Sequence, residues 1–343
     1  MLRERLYMKF QPSKFDKIIF DMDGVITGEY IYWDTAALTV YELLLSYKQF
    51  GRSEIDREWC RDNYKELHRI IFSGDKTIKA VKNLGVNTNW DLAYIVFCVS
   101  RYIDPELNSL DEWHFESVRM FIENIEAKSP EVYDLVGGLA AVATGHDAEY
   151  FKRGNSEVWD RLHDCFQKWF HGDGEIKGLN ELEEPILSID KIKQTLEYLK
   201  DCGLKLGIGT GRPKDEIMFP INAWGLSEYF EPDMIVTYDE VLEAEKEVQP
   251  DKPLAKPDPF VFLKSAFGGT LSNSDIVQNK YDKNLVKQIA VVGDAPSDIM
   301  AAKAAKMPFI GVLTGVDRIS AEKYFLSMNA DYIFDDITGM MNN

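Results

Sequence analysis

Positive charge is scarce in this chain: 39 lysines and arginines face 57 aspartates and glutamates, a formal net charge of −18. Nucleic acid and anionic membrane surfaces would repel such a protein, so neither is expected as a partner. An anionic substrate remains allowed, because local charge can oppose the global sign. Cysteine is also sparse. Cys60, Cys98, Cys165 and Cys202 are scattered without a C-x-x-C pair, and no histidine stands at zinc-finger spacing. Reduced, mostly buried thiols in a cytoplasmic protein are expected, not a disulfide framework. No window approaches the ~20 apolar residues of a membrane span, and the opening "MLRERLYMKF" leads into no apolar stretch of signal-peptide length.

What is present alternates between two textures. Residues 17–20, 204–209, 234–237, 288–293 and 308–313 are short apolar runs that stop at Gly, Asp, Thr or Pro. Continuous runs of this kind suit strands covered on both faces of a parallel sheet. Between them lie helical patterns. Ile189, Ile192, Leu196 and Leu199 share one face and Gly203 follows as a stop signal. A second helix is expected from Pro213, in its first turn, to near Gly225, and a third from Pro296 through "SDIMAAKAAK". Strands alternating with helices predict an α/β protein with a doubly wound parallel sheet. Residues 28–182 are instead helical throughout by pattern and rich in aromatics. A chain of 343 residues is long for one core, and the expected organisation is a sheet domain, 1–27 with 183–343, carrying an inserted all-helical domain, 28–182. The stretches 239–255 and 267–286 read as polar loops or short helices.

Ligands of open α/β sheets bind beyond the carboxyl ends of the strands, so the residue after each run matters most. Asp21 and Asp23 follow the first, Thr210-Gly211-Arg212 the second, and Asp294 and Asp298 the fourth; Lys256 precedes a helix expected near residue 257. Phosphoryl transfer calls for such a set. Asp21 is the expected nucleophile. Asp21 and Asp294 suit Mg²⁺, a hard cation that prefers oxygen ligands, and the Asp23 backbone carbonyl can join them. The Asp23 side chain can act as general acid on the leaving oxygen, its pKa raised by the neighbouring carboxylate. Thr210 and the Gly211 amide can donate to phosphoryl oxygens, Lys256 supplies positive charge, and Gly24 and Arg212 complete the expected substrate contacts. A calcium loop does not fit, since an EF-hand starting at Asp21 would need Gly and Glu where Ile26 and Tyr32 stand.

"DMDGV", the Thr of "GTGRP", the Lys of "AKPDP" and "GDAPSD" resemble, in order, the four motifs of the haloacid dehalogenase superfamily. The insertion resembles that superfamily's first type of cap domain, and "KNLGVNTNWDLAY" with "FKRGNSEVWDRLHDCFQKWFHG" is similar to the caps of phosphoglycolate-phosphatase-like proteins. The resemblance implies a Rossmann-like core, Mg²⁺ dependence, a covalent aspartyl phosphate, a mobile cap, and Asp298 as a further metal-site partner. Dehalogenases and phosphonate-cleaving relatives depart at the position of Asp23, so a phosphatase acting on a small phosphorylated metabolite is expected. A phosphomutase of the β-phosphoglucomutase type stays open, as does a non-catalytic binding protein on the same fold. Oligomeric state is not readable, and a homodimer is compatible.

Each cap candidate has a structural alternative. Asn87, Asn89, Trp90 and Asp91 could read a polar substrate, or Asn89 could cap a helix beginning at Trp90. Lys152 and Arg153, with Lys76 and Lys79, could bind a second phosphate or lie on a solvated face. Among Glu29, Tyr30, Tyr32 and Trp33 an aromatic gate is expected, while His114, His146, His163 and His171 read as surface or packing residues.

Overall fold

The apolar runs become strands. In the computed structural model, which describes residues 9–48, 55–86, 88–315 and 318–341, β1 spans Lys17–Phe20, β2 Lys205–Gly209, β3 Ile235–Val236, β4 Ile289–Gly293 and β5 Phe309–Val312. A further strand, β6 at Tyr332–Phe334, has no counterpart among the expected runs. Its three residues at the sheet edge, followed by two aspartates, carry too little pattern. All six strands pair in parallel, in the order β3-β2-β1-β4-β5-β6.

Both faces of this sheet are apolar, which is why its strands read as continuous runs. Ile18 and Phe20 join Leu206, Ile208, Ala290 and Val292 on one side, while Ile19 joins Val291 and Phe309 on the other. Helices Ile189–Asp201 and Lys214–Ala223 cover the first side; Phe260–Phe267 and Pro296–Ala305 cover the second. Each fully buried large aliphatic or aromatic residue contributes about 2 kcal/mol. Pro213 stands one position earlier than expected: its ψ of 156° is extended, so it caps the helix that begins at Lys214. Within 239–255, Thr237 and Glu240 form a capping box that opens a regular helix, Tyr238–Val248.

Strand order reverses direction at β1, and the crevice beside such a reversal is where open sheets bind ligands. Phe20 sits opposite both Ile208 and Val292. Within two residues beyond this level, Asp21, Thr210 and Asp294 therefore emerge at the same carboxyl edge.

The chain divides into two compact units, Met1–Glu29 with Glu184–Asn343, and Tyr30–Glu183. The second unit contains no strand among the described residues. Its central helix, Asn89–Ile103, is buried at every position from Asp91 to Arg101 and packs against Tyr30–Lys48, Glu131–Thr144 and Glu157–His171. A helix apolar on all sides belongs in a bundle core, and here that core holds Trp33, Tyr94, Phe97, Phe151, Trp169 and Phe170. All four cysteines are free, and only Cys202 is exposed. Among the described residues, no helix is long and apolar enough to cross a membrane.

Candidate active site

Beyond Phe20 the chain closes into a tight turn. The amides of Val25, Ile26 and Thr27 all donate to the Met22 carbonyl, and the Gly24 amide donates to that of Thr27. Gly24 takes φ +72°, and a Cβ there would lie 2.2 Å from Asp294 Oδ2. The turn reaches Asp294 because this position has no side chain. Gly24 thus admits a carboxylate.

Lys256 binds two carboxylates at once, with Nζ 2.8 Å from Asp21 Oδ1 and 2.8 Å from Asp298 Oδ1. Asp298, in the first turn of its helix, also accepts the Ala295 amide through Oδ2 at 3.1 Å. A side chain at Gly293 would collide with it, a Cβ falling 2.5 Å from that of Asp298. Asp21, Asp294 and Asp298 each offer an oxygen, all within 4.8 Å of one another. Burial pushes the Asp21 carboxyl up to about 7 against the pull of Lys256, with Asp298 and Asp23 adding to the rise. Burial alone would lower the Lys256 ammonium, but Asp21 and then Asp298 outweigh it and hold it above the ordinary lysine value. Two of these carboxylates share the Lys256 ammonium, and the third stands within reach of both. Hard oxygen donors at this spacing suit Mg²⁺.

The Asp23 carboxylate makes its hydrogen bonds away from that cluster. It accepts from the Thr27 hydroxyl at 2.9 Å and lies 3.4 Å from Arg212 Nη1. Arg212, expected on substrate, is buried and its Nη2 donates to the Glu216 carbonyl at 3.2 Å. Glu216, Asp23 and Thr27 all meet the guanidinium inside the fold. Thr210 is buried at the end of β2. Its hydroxyl oxygen accepts the Arg212 amide at 3.2 Å, which leaves its hydrogen to donate elsewhere. Gly211 beside it is exposed.

Two residues of this edge escaped the sequence reading. Thr27 touches Asp23, and the Thr314 hydroxyl donates to the Gly24 carbonyl. Thr314 follows the fifth apolar run, so the rule that found Thr210 and Asp294 would have found it too.

In the helical unit the candidates pair with one another. Asn87 lies outside the described residues. Thr88, not Asn89, is the N-cap: its oxygen accepts the Asp91 amide at 3.1 Å and its hydroxyl donates to Asp91 Oδ2 at 2.7 Å. The helix therefore begins at Asn89 and not at Trp90. Asp91, fully buried, is gripped by both arms of Arg153 and by the Tyr133 hydroxyl at 3.2 Å. Arg153 also lies over the rings of Tyr133 and Trp159, at 4.5 and 5.2 Å. Its charge is matched within the unit. Lys152 pairs with Glu149 at 3.0 Å. Trp90 packs on His163, centroids 4.8 Å apart. Tyr32 and Trp33 are buried, whereas Tyr30 is exposed. His114, His146 and His171 pack against Phe115, Tyr150 and Phe170 respectively. The remaining histidine forms a network of its own: His68 Nδ1 and Nε2 lie 2.6 and 2.7 Å from Asp34 and Asp75.

Comparison with known proteins gives this arrangement a family. The family model for haloacid dehalogenase-like hydrolases matches residues 15–306. The pyrophosphatase PpaX of Bacillus velezensis is 26% identical over 197 residues, 56% of this chain and 74% of that protein. A phosphoglycolate phosphatase of Salmonella paratyphi A is 27% identical over 159 residues, 46% of this chain and 52% of that protein. An X-ray structure from the Northeast Structural Genomics Consortium superposes with TM-score 0.77 at 29% identity, covering 94% of this chain and 96% of its own. With the family model spanning the sheet unit's four motifs and the helical insertion between them, the chain belongs to the haloacid dehalogenase-like hydrolases.

Proposed function

We propose that this hydrolase is a Mg²⁺-dependent phosphatase that removes phosphate from a small phosphorylated metabolite through a phospho-enzyme on Asp21. One observation carries the reading: Asp21 emerges at the sheet's reversal point, bound to Lys256 at 2.8 Å and within 4.8 Å of Asp294 and Asp298. The matched relatives named as a pyrophosphatase and a phosphoglycolate phosphatase favour the same class. Asp21, Asp294 and Asp298 are the residues that would hold Mg²⁺, whose charge would neutralise the phosphoryl oxygens. An Asp21 oxygen attacks phosphorus while the P–O bond to the leaving group breaks, and Asp23 gives that oxygen its proton. Asp23, now a carboxylate, takes a proton from water as the water oxygen attacks phosphorus. The bond to Asp21 then breaks and phosphate leaves. Thr210 and the Gly211 amide donate to the transferring group, and Lys256 holds Asp21 in place and offsets developing charge.

Substrate selection is assigned to the helical unit, as a cap. Pairing of Lys152 with Glu149 and of Arg153 with Asp91 favours hydrolysis over mutase chemistry, which needs cations for a second phosphate. A cytoplasmic setting suits the free thiols.

The test is Asp21→Asn in the Mg²⁺-loaded protein, assayed on a panel of phosphorylated metabolites. Turnover should fall by about 10⁴-fold or more with the melting curve retained. Undiminished hydrolysis by a folded variant would end the proposal.

A further inference from the structure

We propose that Arg212 is a positioning residue for Asp23, acting jointly with Thr27 to fix which carboxylate oxygen carries the transferred proton. This rests on the general-acid role assigned to Asp23 above. Arg212 follows β2 and is only 4% exposed. Its Nη1 lies 3.4 Å from Asp23 Oδ1 and 3.5 Å from Thr27 Oγ1, and the Thr27 hydroxyl is 2.9 Å from that same Oδ1. The three groups close a small ring.

The donor inventory decides how that ring is wired. A guanidinium has only donors, so Arg212 must give hydrogen bonds to both oxygens it faces. Thr27 Oγ1 accepts one of them, and its own hydrogen is then directed to Asp23. Oδ1 of Asp23 thus receives two donors and has no place for a proton. A protonated Asp23 carries its hydrogen on Oδ2, the oxygen that makes no hydrogen bond among the described residues. One oxygen anchors the side chain and the other is left to deliver a proton to the leaving group and to take one from water.

The anchor is itself held. Nη2 donates to the Glu216 carbonyl at 3.2 Å, and Nε stands 4.0 Å from the Glu216 carboxylate, which is also buried. A planar fork with donors in fixed directions can serve Asp23, Thr27 and Glu216 together. A lysine, with one point charge on a flexible stem, cannot. Thr27 is part of the Met22–Thr27 turn through its amide and carbonyl, so the ring ties the proton donor to the loop that also carries the nucleophile.

The test uses the full chain loaded with Mg²⁺, comparing 4-nitrophenyl phosphate, whose leaving group needs no proton, with a simple alkyl phosphate, whose leaving group does. Asp23→Asn sets the reference pattern. Arg212→Lys should lower kcat on the alkyl phosphate by about 10²-fold and on the nitrophenyl ester by about threefold or less, with KM unchanged for both. Thr27→Val should give the same asymmetry at about tenfold. If Asp23→Asn shows the asymmetry while Arg212→Lys and Thr27→Val slow both esters equally, the positioning role is overturned and the general acid stands. Equal slowing by Asp23→Asn overturns both. A rise in KM with kcat retained would make Arg212 a substrate contact and also overturn the proposal. Should Arg212→Lys fail to fold, the isosteric Thr27→Val decides, and a loss indifferent to the leaving group rejects the ring.

Discussion

In the sheet unit, Asp21, Asp294 and Asp298 arrive from two strand ends and a helix to within 4.8 Å of one another, and Lys256 bridges Asp21 and Asp298. In the helical unit, Asp91 meets a single guanidinium, Arg153, and Asp34 meets His68. Both arrangements bury charge, which is costly unless compensated. The Asp91–Arg153 pair sets one carboxylate on one guanidinium and so reads as architecture. The sheet cluster brings three carboxylate oxygens within 4.8 Å of one another, and that convergence is what points to a cation and to a reaction. Convergence of carboxylates separates the two cases better than burial does, since Asp91 and Asp298 are both buried.

Removing Lys256 is the most severe way to break that contrast. In Lys256→Met, Asp21 and Asp298 are left facing each other inside the protein. Turnover should fall about 10³-fold, and the metal-free protein should lose about 3 kcal/mol of stability. Added Mg²⁺ should recover much of the stability and none of the rate. Urea melts with and without Mg²⁺ check this, and an unchanged melt would mean the sheet cluster is as self-sufficient as the helical ones.

Arg153→Met applies the same operation to the helical unit, with a smaller effect expected. Arg153 is partly exposed, and Thr88 and Tyr133 still donate to Asp91, so a loss of about 2 kcal/mol is expected, with KM unaltered. A tenfold rise in KM with the melt unchanged would move Arg153 among the substrate-facing groups.

The smallest effect is a slope in pH. Burial works against the His68 imidazolium, but its bonds to Asp34 and then Asp75 outweigh that and hold it above the ordinary 6.5. Burial also raises Asp34, countered first by its hydrogen bond to His68. The folded unit therefore binds more protons near neutrality than the unfolded chain. The stabilisation is complete below about pH 6.5 and is lost as pH rises through the folded value of His68. Urea midpoints between pH 6 and 9 should decline in the native protein and decline less in His68→Gln. Parallel declines would remove His68 from the account.

Legibility followed the same divide. Asp21, Asp23, Thr210, Asp294 and Asp298 could be singled out because the end of an apolar run is a place, Lys256 because it precedes a helix, and the sheet brings such places together. Arg212 stood next to that place and was assigned outward, because nothing local shows that Glu216 and Asp23 would receive it. Thr27 escaped for a related reason: hydroxyls near turns are common, and only its partners single it out, whereas Thr314 follows an apolar run and was within reach of the same rule. In the helical unit Asn89 was a reasonable cap by residue type, yet Thr88 precedes it and forms both bonds with Asp91. His68 was overlooked because Asp34 lies 34 residues away.

The sequence by itself determined the parallel sheet, the helical insertion and the residues that gather at one sheet edge. These follow from periodicity and from strand ends, which are local properties repeated along the chain. Tertiary structure alone decided which carboxylates converge and which pair with a cation of the chain. An ion pair such as Asp91 with Arg153 joins residues 62 positions apart, and no local pattern encodes whether a buried carboxylate will find its cation within the chain or must take one from solution.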